Sequence, residues 1–368
     1  MHIPDGYLSP ATCAALYAAA APFWYVALRR VKRLLHTRLV PQLSVFAAFS
    51  FVIMMFNLPL PGGTTGHAVG VGIATIVLGL WGSMLAISVA LLIQAILFGD
   101  GGVTAFGANA FNMAIVGSLV AYAVYRVVAG RAAVTAPRRV FAAALAGYAA
   151  INAAALCAAI EFGIQPMFFH DENGAPLYAP YPLHIAVPAM MIGHLTFAGL
   201  AELIVTGGVV AYLQRTDVSL LKLTAPASVR DAVRVGADTV QSGWRATRPL
   251  WMGLALLMVL TPLGLLAAGT AWGEWGAEDF ADPAAREQIA AASHNQAPPA
   301  QPPAGLSRLA NLWTAPIPDY APPFLKSAAF GYIMSAMVGT GIIILVFFLI
   351  GWLTRVGHGS ERESEGSV

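Results

Sequence analysis

The chain opens Met1-His2-Ile3-Pro4-Asp5-Gly6, and its first two residues carry three nitrogens that one metal ion could hold together. The α-amine of Met1, the backbone amide nitrogen of His2 and the His2 imidazole close two fused chelate rings. Three nitrogens in a plane suit Ni(II), Cu(II) or Co(II) and leave a fourth position open. A proline at position 2 would forbid the chelate, because it has no amide N–H to give up. Here the proline is Pro4, where it stiffens the way out. The segment lacks the basic n-region and small-residue cleavage site of a signal peptide, and the bulky His2 favours retention of Met1. The competing reading is that His2 is incidental.

His67 follows the turn Gly62-Gly63-Thr64-Thr65-Gly66 and opens the third apolar stretch. Glycines 62, 63 and 66 let the backbone approach closely, and an imidazole there could fill the fourth position. The alternative is a helix-start histidine hydrogen-bonded to a carbonyl. Farther on, Gln94 closes one apolar segment, Gly99, Asp100, Gly101 and Gly102 form a turn, and Asn109 and Asn112 open the next. Three residues apart, the two asparagines share a helix face. Polar side chains at that depth are costly unless paired. We expect Gln94, Asn109 and Asn112 to hold the folded-in N-terminal loop or an imidazole N–H, with helix–helix hydrogen bonding as the alternative. His194 and Glu202, two turns apart, read as interhelical hydrogen-bonding groups. Glu161 and His184 read as interfacial, and His170-Asp171-Glu172 as a solvated loop.

The elements that must position these groups are membrane spans. Of 368 residues, 58% are hydrophobic and 10% charged, which excludes an ordinary soluble domain. Apolar segments are expected at about 11–28, 43–58, 68–98, 104–128, 140–162, 184–213, 249–269 and 330–353. At ~1.5 Å per residue the third is too long for one straight crossing of a ~30 Å core, so it should break into two short helices at Gly79-Leu80-Trp81-Gly82. That makes nine spans. With the N-terminus outside, 17 of the 20 lysines and arginines fall on the inner side, as the positive-inside rule requires. Cys13 and Cys157 lie within spans and read as small apolar residues.

MHIPDGYLSP, PGGTTGHAVG and QAILFGDGGVTAFGANAFNMA together resemble the CbiM/NikM family, the substrate-specific membrane components of energy-coupling-factor transporters for cobalt and nickel. The resemblance covers about residues 1–213. It implies an all-α, seven-helix bundle in the bacterial inner membrane, with the ion bound by the Met1 amine, the His2 amide and imidazole, and His67. The N-terminus would tuck into the bundle, away from water. Residues 249–354 resemble the small accessory component (CbiN or NikN), two helices around a loop at 271–325, and Ala315-Pro-Ile-Pro-Asp-Tyr320 is similar to a PDGLE-type domain. That resemblance implies a loop that helps load metal; an anionic tether is the alternative. Residues 295–305, rich in Pro, Ala and Gln, have a disorder-like composition.

The cytoplasmic linker 214–248 and tail 355–368 complete the expected layout. No GxxxxGK[ST] loop is present, so ATP hydrolysis falls to partners, which the resemblance implies are a transmembrane coupling protein and a pair of ATPases. No prosthetic group is expected; Co(II) or Ni(II) is the cargo. Two other classes stay open. An ion-coupled carrier would use Glu161 and Glu202 as proton carriers, and a haem-binding redox protein would need facing histidines within spans.

Overall fold

The computed structural model describes residues 1–32, 39–225, 244–267 and 269–365, with the backbone alone at Leu39, 244–247 and 354–365. Arg33, Arg38, Arg230, Arg234 and most of the expected 214–248 linker therefore lie outside the described residues. Within them the chain is a helical bundle. Seven helices are long and apolar enough to cross a membrane, joined by one shorter apolar helix, so the protein is a multi-pass membrane protein.

Helix α1 (Pro10–Lys32) starts where the Ser9 hydroxyl accepts the Thr12 N–H at 3.1 Å, and ends in Arg29, Arg30 and Lys32. Cations at that end complement the helix dipole. Helix α2 (Leu39–Met54) stops earlier than its apolar run suggests. The remaining residues form β1 (Leu58–Leu60), which pairs antiparallel with β2 (Thr64–Gly66), Leu58 opposite Gly66. Three-residue strands are too short for an alternating pattern to announce them.

Helix α3 (Val71–Ile93, extended by a π-turn at Gln94–Phe98) is interrupted at Gly79, whose φ of 72° and ψ of 173° are not helical. Residues eight apart in a straight helix sit about 12 Å from each other. Yet the Thr75 hydroxyl donates to Ser83 Oγ at 3.1 Å, so the chain reverses between them. Segment 71–98 is thus a hairpin with both mouths at one end of the bundle. Its first arm begins where Glu202 accepts the backbone N–H groups of Val69 (2.8 Å), Gly70 (2.8 Å) and Gly72 (3.1 Å). A buried carboxylate on a helix N-terminus satisfies donors that the helix itself leaves open. The tip lies at the far end, where Thr224 Oγ1 donates to Ile76 O at 2.9 Å.

Helices α4 (Phe106–Ala129), α5 (Pro137–Phe168) and α6 (Leu183–Thr216) complete the bundle. Both α4 and α6 contain a π-helical turn, at Ala110–Val116 and His194–Ala198. Helices α7 (Trp244–Leu260) and α10 (Ala328–Glu365) pack on the outside of α2. Between them the chain makes two short helices, α8 (Pro283–Ala292) and α9 (Ala304–Leu309), and covers the hairpin mouths. The disorder expected at 295–305 is not what the structure shows. Arg286 donates to the carbonyls of Pro298 (3.1 Å) and Pro299 (2.6 Å), Tyr181 donates to Gln296 O (3.0 Å), and Gly305 N donates to Leu177 O (2.6 Å). Composition counts apolar residues and misses these carbonyl contacts.

Candidate metal site

Chain ends usually fray because few contacts hold them. Here Met1, His2 and Ile3 are 3%, 2% and 0% exposed. Asn109 clamps Ile3 from both sides, accepting its N–H at 2.8 Å and donating to its carbonyl at 3.0 Å. Gly102 N donates to the same carbonyl at 2.8 Å. Asp5 accepts the N–H groups of Val103 (3.1 Å) and Thr104 (2.7 Å) and the Thr104 hydroxyl. The fit is close: a Cβ on Gly102 would lie 2.4 Å from Asp5 N and Oδ1. Farther along, Ala179 N donates to Tyr7 O (3.0 Å) and Ser9 N to Gln165 Oε1 (3.0 Å). The first turn of chain is therefore a plug seated on the 99–104 turn, and Asp5 and Gln165 are anchors that sequence reasoning passed over.

The plug brings the nitrogens together. The His2 and His67 rings stack with centroids 5.0 Å apart and planes 29° from parallel, and both line a cavity of about 260 Å³ with Asp100, Glu274, Asp319 and Tyr320. His67 Nδ1 lies 3.1 Å from Ala68 O, which places the proton on Nδ1 and leaves the Nε2 lone pair free. Nε2 of His67 and of His2 are both buried without a hydrogen-bond partner. Buried polar atoms are nearly always paired, so the orphaned His67 Nε2 on this cavity marks a place for a ligand. His2 Nδ1 contacts Asp100 Oδ1 at 2.8 Å, and the Met1 amine contacts Glu274 Oε1 at 3.2 Å. Burial, followed by the neighbouring His2 and terminal amine, pushes His67 well below the usual imidazole range, so its ring is neutral. Burial raises Asp100, but His2, then His67 and the Tyr320 phenol, outweigh it and hold the carboxyl well below the usual range.

Asp100 is held in turn. Its Oδ2 accepts from Gln94 Nε2 (3.1 Å) and from the Tyr320 hydroxyl (2.5 Å), and Gln94 also donates to Tyr320 at 2.8 Å. Gln94 and Asn109 thus lie directly behind the nitrogen cluster. Asn112 does not: it donates to Glu161 Oε2 at 2.7 Å, linking α4 to α5, because its side chain leaves the helix three residues beyond the plug. Glu161 is accordingly buried, not interfacial. Glycines 62 and 63 serve the β-turn, and Gly62 abuts Ala292 of α8, where a Cβ would come within 2.9 Å; Gly66 makes room for Leu60. His194 is buried, with Nδ1 at 2.8 Å from Met190 O. His184 and His170 are exposed, and Asp171 closes a turn by accepting from Asn173 and Ala175. Among the described residues no three His, Cys, Asp or Glu side chains form a metal-holding group. Glu274 and Tyr320 reach the site from more than two hundred residues away, a pairing that leaves no periodic signal.

Comparison with known proteins places this arrangement. The family model described as the cobalt uptake substrate-specific transmembrane region matches residues 2–220, and the PDGLE domain matches residues 247–356. The fused nickel transport protein NikMN of Rhodobacter capsulatus is 58% identical over 345 residues, which are 94% of this chain and 95% of that protein. The probable fused nickel transport protein LarMN of Lactiplantibacillus plantarum is 41% identical, over 95% of this chain and 96% of its own. A crystal structure of a transition metal transporter, 46% identical, superposes with a TM-score of 0.56 and covers 64% of this chain and 99% of that one. From His2 onward the buried N-terminal plug, and with it the C-terminal cover, falls within these two matched regions, and the chain belongs to the CbiM family, with a PDGLE domain on its C-terminal side.

Proposed function

We propose that this chain is the substrate-binding membrane component of an importer for Ni(II) or Co(II), energised by partner proteins. The observation that carries the reading is the stack of the buried His2 and His67 rings on one cavity, with His67 Nε2 unpartnered and the buried terminal amine held by Glu274 of the same cavity lining. The cargo is held by the Met1 amine, the His2 amide and imidazole, and His67. The His2 amide, unlike the neighbouring Ile3 amide, makes no hydrogen bond among the described residues and is free to be deprotonated. Closing the six-membered ring uses His2 Nδ1, which faces Asp100. Loading therefore turns the imidazole away from Asp100 and takes the amine from Glu274. One proton leaves the ammonium and one the amide, both to water, the Nδ1 proton that Asp100 accepts is shifted to Nε2, and the Asp100 carboxylate remains to offset the ion's charge.

Four nitrogens favour nickel and cobalt over hard cations. The names of the relatives that span the whole chain favour nickel. The chain performs no covalent chemistry; a transmembrane coupling protein and ATPase subunits drive the conformational step in an energy-coupling-factor complex of the inner membrane. Charge placement supports nine membrane-embedded segments with the N-terminus outside. The C-terminal module, whose cover reaches the cavity, assists loading. A proton-coupled carrier finds less support, because Glu202 is committed to the start of α3 and Glu161 to Asn112.

The test is metal content and visible spectrum of two purified forms given nickel, one beginning at Met1 and one with a single alanine before it. The native form should bind about one equivalent with a yellow, planar-Ni(II) spectrum, and the extended form none. Equal binding by both removes the amine from the ligand set.

A further inference from the structure

Glu274 is not among the nitrogen ligands, yet it is the partner of the terminal amine. Its Oε1 lies 3.2 Å from Met1 N, across 273 residues of sequence. The Met1 side chain is 1% exposed and that of Glu274 25%. The carboxylate is placed by its own surroundings: Gly273 takes a positive φ of 84° against the Phe162 ring, Glu274 N donates to Ala271 O at 3.0 Å, and the Trp272 indole donates to Ser293 Oγ at 3.1 Å. The next residue continues the cover, with Trp275 O accepting the Tyr7 hydroxyl at 2.8 Å. A rigid turn therefore presents one carboxylate at the point where the free amine must wait.

The remaining anchors of the plug act farther in. Asn109 and Gly102 hold Ile3, and Asp5 holds the 103–104 backbone, which leaves the amine itself to swing about the bonds of Met1. A buried ammonium without a counter-charge is costly, and a swinging one would leave the cavity for water. Building on the amine as a ligand, we infer that Glu274 is a positioning residue that keeps the terminal amine inside the cavity while the site is empty and yields it to the arriving ion. Once the ion takes the amine lone pair there is no ammonium left to pair. Glu274 consequently acts on the empty state alone, and its effect belongs in the rate of loading and not in the rate of release.

The full chain in detergent, with Glu274→Gln and Glu274→Asp variants, tests this. The first readout is acylation of the N-terminal amine by an amine-reactive ester, followed on the N-terminal peptide by mass. In the metal-free state Glu274→Gln should be labelled about fivefold faster than the parent, the scale of one partly exposed ion pair, with Glu274→Asp in between. With Ni(II) added, parent and variants should be equally protected. The second readout is stopped-flow Ni(II) binding, where Glu274→Gln should slow association several-fold and leave dissociation unchanged. Equal labelling of the empty forms, or a change confined to dissociation, overturns the inference. If even the parent binds no nickel, the ligand assignment fails, while the labelling contrast still decides whether Glu274 holds the amine.

Discussion

Replacing Asn109 by alanine tests whether the seated plug is what makes the nitrogen cluster competent. The side chain is 2% exposed and makes two hydrogen bonds to Ile3, at 2.8 and 3.0 Å. Each such bond contributes about 1 kcal/mol net, and a buried donor left without a partner costs roughly 1–3 kcal/mol more. The Ile3 carbonyl keeps its bond from Gly102 and is left out of the sum, so the lost bond to the Ile3 N–H and that orphaned donor together cost the seated plug about 2–4 kcal/mol. If seating sets the competent fraction, and each 1.4 kcal/mol is tenfold, nickel affinity falls by about 30-fold at the low end of that range. Calorimetric titration of nickel into parent, Asn109→Ala and Asn112→Ala measures it. Asn112→Ala is the internal control, because that side chain is engaged by Glu161. Affinity of Asn109→Ala within about threefold of the parent, or an equal drop in Asn112→Ala, would refute the reasoning.

Two further outcomes follow from the same geometry. Gly102→Ala places a Cβ 2.4 Å from Asp5 N and Oδ1, and should lower nickel binding more than about tenfold by unseating the plug, while the helical content by circular dichroism stays unchanged. His67 stays neutral in the folded protein, whereas in the unfolded chain it takes up a proton near pH ~6.5. The unfolded state then binds more protons in acid, so metal-free stability should rise with pH up to about 6.5 and level off above it. His67→Gln should show a shallower rise in thermal midpoint between about pH 5 and 7; a slope as steep as the parent's contradicts the assignment.

The sequence exposes the nitrogen set because its chemistry depends on residue identity at adjacent positions, which needs no fold to be seen. The break at Gly79 is legible for a similar reason: an apolar run longer than the bilayer core has to turn, and a glycine marks where. Asn109 is readable as a polar group at depth, but its choice of Ile3 is not, and the same reasoning sends Asn112 to the wrong partner. Periodicity puts two residues on one face without saying which neighbour each meets. Glu274, Tyr320 and Asp5 are less visible still. Their roles arise from contacts between distant segments, and in sequence each is an ordinary loop residue. The pairing of Leu58–Leu60 with Thr64–Gly66 stays hidden because three residues carry too little alternation.

The reversed helix at 71–98 gives the molecule a short mechanical path. Its first arm, roughly 12 Å of helix, is gripped at one extremity by Glu202 and touched near the other by Thr224. His67 stands just beyond the gripped extremity, and Thr224 follows the last turn of α6 at the opposite end of the bundle. Displacement of the chain around Thr224 would act as a push on this rod, delivered to the imidazole without repacking a full-length helix. The second arm leads back from the same tip to Asp100. A shift of the tip is thus shared between the ring of His67 and the carboxylate that restrains His2, which line one cavity.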